Sequence, residues 1–359
     1  MPTRKSTKRS NAPDGNELST RDREILKDII STHIRSGEPV SSRAVSKHSQ
    51  HQLSAASIRN VMADLEECGY LAQPHTSAGR VPTPAAYHLY VESLMEVSRL
   101  SARERRYIEA RLKEASHGSH LMAAVTHLLS ELSHQVGIVL TPTVEETVLK
   151  TVDFIPLGHR RVLCVLVSTS GFIDNLVIDV DEEIARRELV RISNYLTANF
   201  CGLRLRRIRD RLLSLMAEER AHVDRWLGRA IELARRAVDG SQVPEVLVEG
   251  TATLLDQPEL SSVGSVRKML DTFADKARLV KMLNSCLASD GVRVFIGDDS
   301  DVTSELDFSL VATTYGTGKR SLGSLGIIGP SRMEYPRIVP LVRYLGETLS
   351  KALAEKGKE

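Results

Sequence analysis

The chain has 359 residues, 42% hydrophobic and 26% charged, with 48 Lys+Arg against 46 Asp+Glu for a formal net charge of +2. This length predicts two or three domains, and a balance so near zero means that any charged partner must be argued segment by segment. The four cysteines (Cys68, Cys164, Cys201, Cys286) are scattered with no CxxC pair, which excludes a zinc ribbon and a disulfide scaffold and points to a reducing compartment.

Residues 1–17 are basic, small and polar, with almost nothing to bury, and are expected to be a disordered tail. No apolar region follows them and no apolar run approaches the roughly 18 residues of a membrane span, so a cytoplasmic, soluble chain is expected. Ser19 with Asp22 three residues on is a capping signal, and Ile25, Leu26, Ile29, Ile30 and Ile34 form the stripe of a first helix that Gly37 and Pro39 stop. Ser41 caps a short second helix through about His48. The turn QHQL (50–53) leads to Ser54, the cap of a third, with Leu53 and Ile58 placed as a hydrophobic staple. Ile58, Val61, Met62 and Leu65 share one side of that helix; Ala56, Arg59, Asn60 and Ala63 share the other. Strands at 70–74 and 80–83 close a hairpin, and a fourth helix is expected over 84–100.

The third helix departs from what stability alone favours. A helix N-terminus carries partial positive charge, so an acid in its first turn contributes roughly 0.3–1 kcal/mol. Here the first turn is Ala55, Ala56, Ser57, and every acid (Asp64, Glu66, Glu67) lies in the second half. That pattern suits a helix whose leading end meets phosphate. The alanines let backbone approach a groove, Arg59 has the fork for guanine and Asn60 the bidentate match for adenine. Helix, turn, helix and a small hairpin is the winged form of helix-turn-helix. In the hairpin tip, His75, Thr76, Ser77 and Arg80 are donors suited to phosphate or minor groove, Gly79 is expected to supply a positive φ, and Pro74 and Pro82 keep the strands out of a larger sheet.

Beyond about residue 105 the pattern changes. A helix near 119–136 precedes strand-like runs at 147–155, 160–168 and 171–180, then arginine-rich helices from 183 to 240. Strand signals return at 245–250, 292–297, 307–316 and 321–329, with a helix at 264–289 and a terminal helix at 336–355. Strands on both sides of a helical block predict one α+β domain carrying an insertion.

The strings "GEPVSSRAVSK" (37–47), "SAASIRNVMADLEECGYLAQPHTSAGRVPT" (54–83) and "YVESLM" (90–95) resemble the N-terminal part of the heat-inducible transcription repressor HrcA family. "PELSSVGSVRKML" (258–270), "VFIG" (294–297) and "SLVATTYGTGKRSLGSLGIIGPSRMEYPRI" (309–338) resemble its C-terminal part. The resemblance implies a multidomain α+β homodimer: a winged helix-turn-helix over 18–100, a GAF-like domain over 101–182 and 245–359, and an inserted dimerising domain over 183–244. It implies repression of heat-shock chaperone operons through an inverted-repeat operator, with the GroE chaperonin as modulator and no cofactor. The DNA-binding set becomes Ser42, Arg43, Ser54, Ala56, Ser57, Arg59, Asn60, His75, Thr76, Ser77 and Arg80. This chain departs from the family at Ser41 (usually Gly), Ala44 and Ser57 (usually Thr) and His88 (usually Arg), which puts individual phosphate contacts in doubt. A ligand-sensing or protein-interaction module without operator binding is the alternative.

Other constellations carry less. "GTGKRSLGSLGIIG" (316–329) lacks the P-loop spacing, with Arg320 where Ser or Thr belongs, and reads as a glycine-rich turn between strands. His120, His127 and His134 stand seven residues apart, about 10 Å of helix rise, too far for one metal. "RLRRIRDR" (204–211) has five arginines around the seam Leu205, Ile208, Leu212, Leu215, which Val223, Trp226, Leu227, Ala230 and Ala234 continue. Such a seam packs on its own domain or on a partner subunit, with dimer contact the leading expectation. No catalytic arrangement stands out, and no enzyme is expected.

Overall fold

The computed structural model describes residues 18–48, 53–75, 78–115, 118–142, 147–219, 225–240, 245–255, 257, 263–286, 291–297, 308–317 and 320–356; the basic tail lies outside them. Helices and strands are mixed along the whole length, an α+β protein.

The first three helices form where the caps and stripes require. In α1 (Thr20–Ser36) the Ser19 side chain accepts from the Asp22 N–H and Gly37, at φ 69°, donates back to the His33 carbonyl; its buried residues are the five of the apolar stripe. The second helix, α2, spans Ser42–His48. In α3 (Ala55–Glu67) Ser54 accepts from the Ser57 N–H, and Ile58, Val61, Met62 and Leu65 are buried. A two-stranded hairpin follows, β1 (Leu71–Ala72) and β2 (Val81–Pro82), antiparallel with Leu71 opposite Pro82. It continues past β2: Val40 and Arg80 exchange both backbone hydrogen bonds, at 2.8 and 2.9 Å, tying the hairpin to the α1–α2 connection. Gly79 does not take a positive φ as expected. Its need is space, since a Cβ there would stand 2.5 Å from the Val40 carbonyl oxygen.

Helix α4 (Pro84–Leu89) runs into a π-helical turn (Tyr90–Leu94) and stops, where the sequence predicts helix to residue 100. Met95 turns extended, and the Ser98 N–H bonds the Pro336 carbonyl at 3.0 Å. Tertiary pairing overrides local propensity here.

After α5 (Ala102–Glu114) and α6 (Gly118–Ser133) comes β3 (Val136–Leu140). It belongs to a five-stranded antiparallel sheet in the order β7 (Val246–Glu249), β3, β10 (Arg320–Pro330), β9 (Phe308–Thr317), β8 (Arg293–Ile296). One face packs on α6 and the terminal helix α13 (Tyr335–Lys356), through Val139, Val311, Tyr315, Leu325 and Leu345. The same apolar cluster runs on without interruption into α1, α3 and α4. The other face, with Val136, Ile138 and Leu310, packs on Leu279 and Leu283 of α12 (Lys276–Cys286). The glycines expected in a turn, Gly323, Gly326 and Gly329, lie within β10 itself. The single helix expected over 264–289 is α11 (Val263–Ala274) and α12, which follow the short α10 (Thr251–Leu254). Asp275 separates them by capping the Arg278 N–H at 3.1 Å.

The grouping of the middle strands differs from expectation. β4 (Leu149–Gly158), β5 (Arg161–Ser168) and β6 (Ile173–Asp179) make an antiparallel sheet of their own. Its inner face (Val152, Phe154, Cys164, Ile178) shares a separate apolar cluster with α7 (Arg186–Phe200), α8 (Leu205–Glu219) and α9 (Arg225–Gly240). The alternation along β5, buried at every second residue, shows why: one face needs a cover, and the next three helices supply it. Leu205, Ile208, Leu212, Ala230 and Ala234 of the arginine-flanked seam are buried in that cluster. Those seam residues are therefore intramolecular core and not a dimer contact; Val223 and the side chains of Leu215, Trp226 and Leu227 lie outside the described set.

Candidate nucleic-acid interface

The outward side of α3 is built by its inward side. With Ile58, Val61, Met62 and Leu65 fixed in the core, the 3.6-residue period leaves Ala56, Arg59, Asn60 and Ala63 exposed. Ala55 and Ala56 stand in the first turn, where amides have no intrahelical acceptor, and no acid is present there. Ser54 and Ser57 occupy one another: beyond the cap at 3.1 Å, their hydroxyls lie 3.0 Å apart. Among the described residues, the side chains of Arg59 and Asn60 have no hydrogen-bond or ion-pair partner. The same is true of Arg43, exposed at the start of α2. Arg43, Arg59 and Asn60 are therefore available donors.

Other expected residues stand differently. Ser42 is buried, 9% exposed; it is Ser41 that caps α2, accepting from the Ala44 N–H at 3.2 Å. His75 is exposed on the hairpin, whereas Thr76 and Ser77 lie outside the described residues. Arg80 does not reach away from the tip. Its Nε lies 2.8 Å from Glu66 Oε2, close enough for an ion pair though not aligned as a hydrogen bond, with the side chain 22% exposed, so charge attraction ties the hairpin to the far end of α3. The Gln73 amide closes the tip from within by donating to the Ala78 carbonyl at 3.2 Å.

Glu66, Gln73 and Val40 are thus parts of the site that spacing does not reveal. A weak signal exists for Val40 alone, a β-branched residue right after the Gly37–Pro39 stop. Within the unit His33 Nδ1 and the Tyr87 hydroxyl are 2.8 Å apart, and the unit is seated on the rest of the chain where the Tyr87 and Tyr335 rings tilt at a 6.1 Å centroid separation. Among the described residues no helix is long and apolar enough to cross a membrane, and no cluster of His, Cys, Asp or Glu has the makings of a metal site. His127 of the seven-residue series instead faces Glu249 at 2.6 Å.

Comparison with known proteins gives one answer. The family model described as HrcA protein C terminal domain matches residues 119–339. A protein of Geobacter sulfurreducens named heat-inducible transcription repressor HrcA is 42% identical over 343 residues, covering 94% of this chain and 98% of its own length. Proteins of the same name from Syntrophobacter fumaroxidans and Xanthomonas axonopodis pv. citri are each 36% identical and cover 96% and 95% of this chain and 99% and 97% of their own. Among solved structures, the crystal structure of a hypothetical protein superimposes with a TM-score of 0.64 at 22% identity, over 95% of this chain and 100% of the other; that likeness concerns the fold alone. With a family model over most of its length and relatives matched nearly end to end, the chain belongs to the HrcA family of heat-inducible transcription repressors.

Proposed function

We propose that the protein represses transcription of heat-shock genes by binding duplex DNA through α3, without catalysing a reaction. The observation that carries this reading is the outward side of α3: an acid-free first turn followed by Arg59 and Asn60, exposed and without partners among the described residues. In a winged-helix reading of residues 18–100, α3 enters the major groove, Arg59 and Asn60 address base edges, and Arg43 with His75 addresses phosphates. Ser54 and Ser57 hold the leading end of the helix in shape. Arg80 acts chiefly through Glu66, setting the hairpin's angle to α3. Ser42 contributes by packing. Thr76 and Ser77 keep the phosphate role that their hydroxyls suggest.

For the remainder we favour a GAF-like domain over 101–142 and 245–356 around the five-stranded sheet. The insertion is then the whole of 147–240, beginning at β4 and not at residue 183, because β4–β6 bury their inner face on α7–α9. The protein acts as a homodimer, and two α3 helices related by a two-fold axis require an inverted-repeat operator. Support for a dimer comes from the outer face of the three-stranded sheet. Ile155, Leu163 and Val177 lie side by side across the strands, with Ile155 46% and Val177 50% exposed, an apolar row that isolated subunits leave in water. Family membership also supports the GroE chaperonin as modulator.

The test is a gel shift of the full chain on an inverted repeat taken from upstream of chaperone operons, against bulk competitor, at two salt concentrations. Preference for the repeat that persists as salt rises is expected. Equal affinity for repeat and competitor would reject operator reading and favour a protein-interaction role for the unit.

A further inference from the structure

A cleft of about 260 Å³ opens where the chain leaves the five-stranded sheet for the three-stranded unit and returns from it. Its back wall is Leu149, Leu166 and Leu205, all nearly fully buried, from the three-stranded unit. The opposite wall is Ala123 of α6 and the start of β7, with Glu245 at the rim. Two carboxylates, Asp174 and Glu245, line it, and among the described residues lining it there is no lysine, arginine or histidine. Asp174 stands beside Leu166 in the β5–β6 pairing, and its Oδ2 is buried without a hydrogen-bond partner among the described residues. A carboxylate oxygen withdrawn from water with no donor is unfavourable, and a charged N–H donor is the group that relieves it best. Leucine walls beside such an oxygen suit a ligand apolar along its body and cationic at one end.

We propose that this cleft binds a small organic ammonium, its charged head on Asp174 and Glu245 and its alkyl body against Leu149, Leu166 and Leu205. Because the walls come from both units, the occupied cleft fixes their relative placement. This holds whether or not α3 reads DNA.

Calorimetric titration and thermal melting of the full chain with n-pentylammonium, n-pentanol and n-pentanoate test it. Saturable binding and a raised Tm are expected with n-pentylammonium, affinity lower by about tenfold or more with n-pentanol, and none with n-pentanoate. Asp174→Asn should weaken n-pentylammonium by about tenfold or more while leaving n-pentanol unchanged. Ala123→Phe, at an exposed helical position, should close the cleft with Asp174 intact and abolish binding; it decides the matter if Asp174→Asn fails to fold. Equal affinity for n-pentylammonium and n-pentanol, no saturable binding of n-pentylammonium, or an unaffected Ala123→Phe would each overturn the proposal.

Discussion

The α1–α3 unit and the three-stranded insertion both display arginines, but among the described residues only the insertion gathers several of them on shared carboxylates. In the insertion, Arg229 reaches Glu188 and Glu182, and Arg235 and Arg236 converge on Glu232 at 2.8 and 2.7 Å. These bonds, that of Arg235 foremost, hold the Glu232 carboxyl below the usual carboxylate range. In the α1–α3 unit, Arg43 and Arg59 face outward with no partner among the described residues. Counting unmatched arginines does not separate the two regions, since Arg206, Arg207 and Arg211 of the dense 204–211 stretch are also exposed with no partner among the described residues. What sets α3 apart is that its unmatched Arg59 shares an outward face with Asn60 and the small Ala56 and Ala63.

The sharpest break of that contrast is Leu212→Ala. Leu212 is fully buried in the insertion's core, so its truncation should cost roughly 2–5 kcal/mol of unfolding free energy. Equilibrium denaturation would show the loss at every protein concentration. A loss that vanished at high concentration would place Leu212 in a subunit contact and undo the assignment of the seam. Next in size is Arg59→Ala, expected to lose roughly 1–3 kcal/mol of operator binding and to relax base preference at one position. Arg209→Ala, on the insertion, should leave binding unchanged. If Arg59→Ala lowered affinity for operator and random duplex alike, Arg59 would be a phosphate contact, and the two regions would differ in degree only.

What the sequence made legible follows the same division, local against distant. The cap at Ser54, the stripe from Ile58 to Leu65 and the stop at Gly37 are set by residues within a turn or two of one another, and the structure has them as expected. The exposed side of α3 follows from that stripe. The contact of Arg80 with Glu66 is not legible because Glu66 is fourteen positions away on another element, and donor chemistry alone says nothing of where a side chain is held. Gly79 was legible as a required glycine but for the wrong reason, since the approach of Val40 is a tertiary fact. The partition of β4–β6 away from the main sheet was hidden for a related cause: alternation shows that a strand has one buried face, not which helices cover it. The early stop after Leu94 likewise depends on Pro336, far along the chain.

A smaller effect tests the tie between hairpin and α3. Glu66 and Arg80 are both partly exposed, so a double-mutant cycle of Glu66→Gln and Arg80→Ala should give a coupling of about 0.2–1 kcal/mol in stability. The more telling readout is DNA affinity. Glu66→Gln removes an acid from α3 and releases Arg80 together, so it should tighten binding to all duplexes and steepen the salt dependence. Weaker binding in Glu66→Gln would show that the angle of the hairpin matters more than the released charge.

The smallest effect compares the regions through their thiols. Cys68, at the end of α3, is exposed, whereas Cys164 is buried on the inner face of β5. Burial, aided by the nearby Asp174 and Asp153, pushes the Cys164 thiol up to about 12. Since the thiolate is the reactive form, iodoacetamide at neutral to mildly alkaline pH should label the exposed Cys68 and, at the end of α7, Cys201, and leave Cys164 untouched until the chain unfolds, as peptide mass mapping would show. The linkage has a definite sign. In the unfolded chain the thiol ionises near its ordinary value of about 8.5, while the folded protein keeps the proton. The contribution of Cys164 is therefore complete below that value and is lost as pH rises toward about 12. Cys164→Ala should flatten the alkaline fall of stability, and Cys68→Ala should not. Rapid labelling of Cys164 in the folded protein would mean that the insertion opens to solvent as readily as the end of α3, against the packed core on which its separate identity rests.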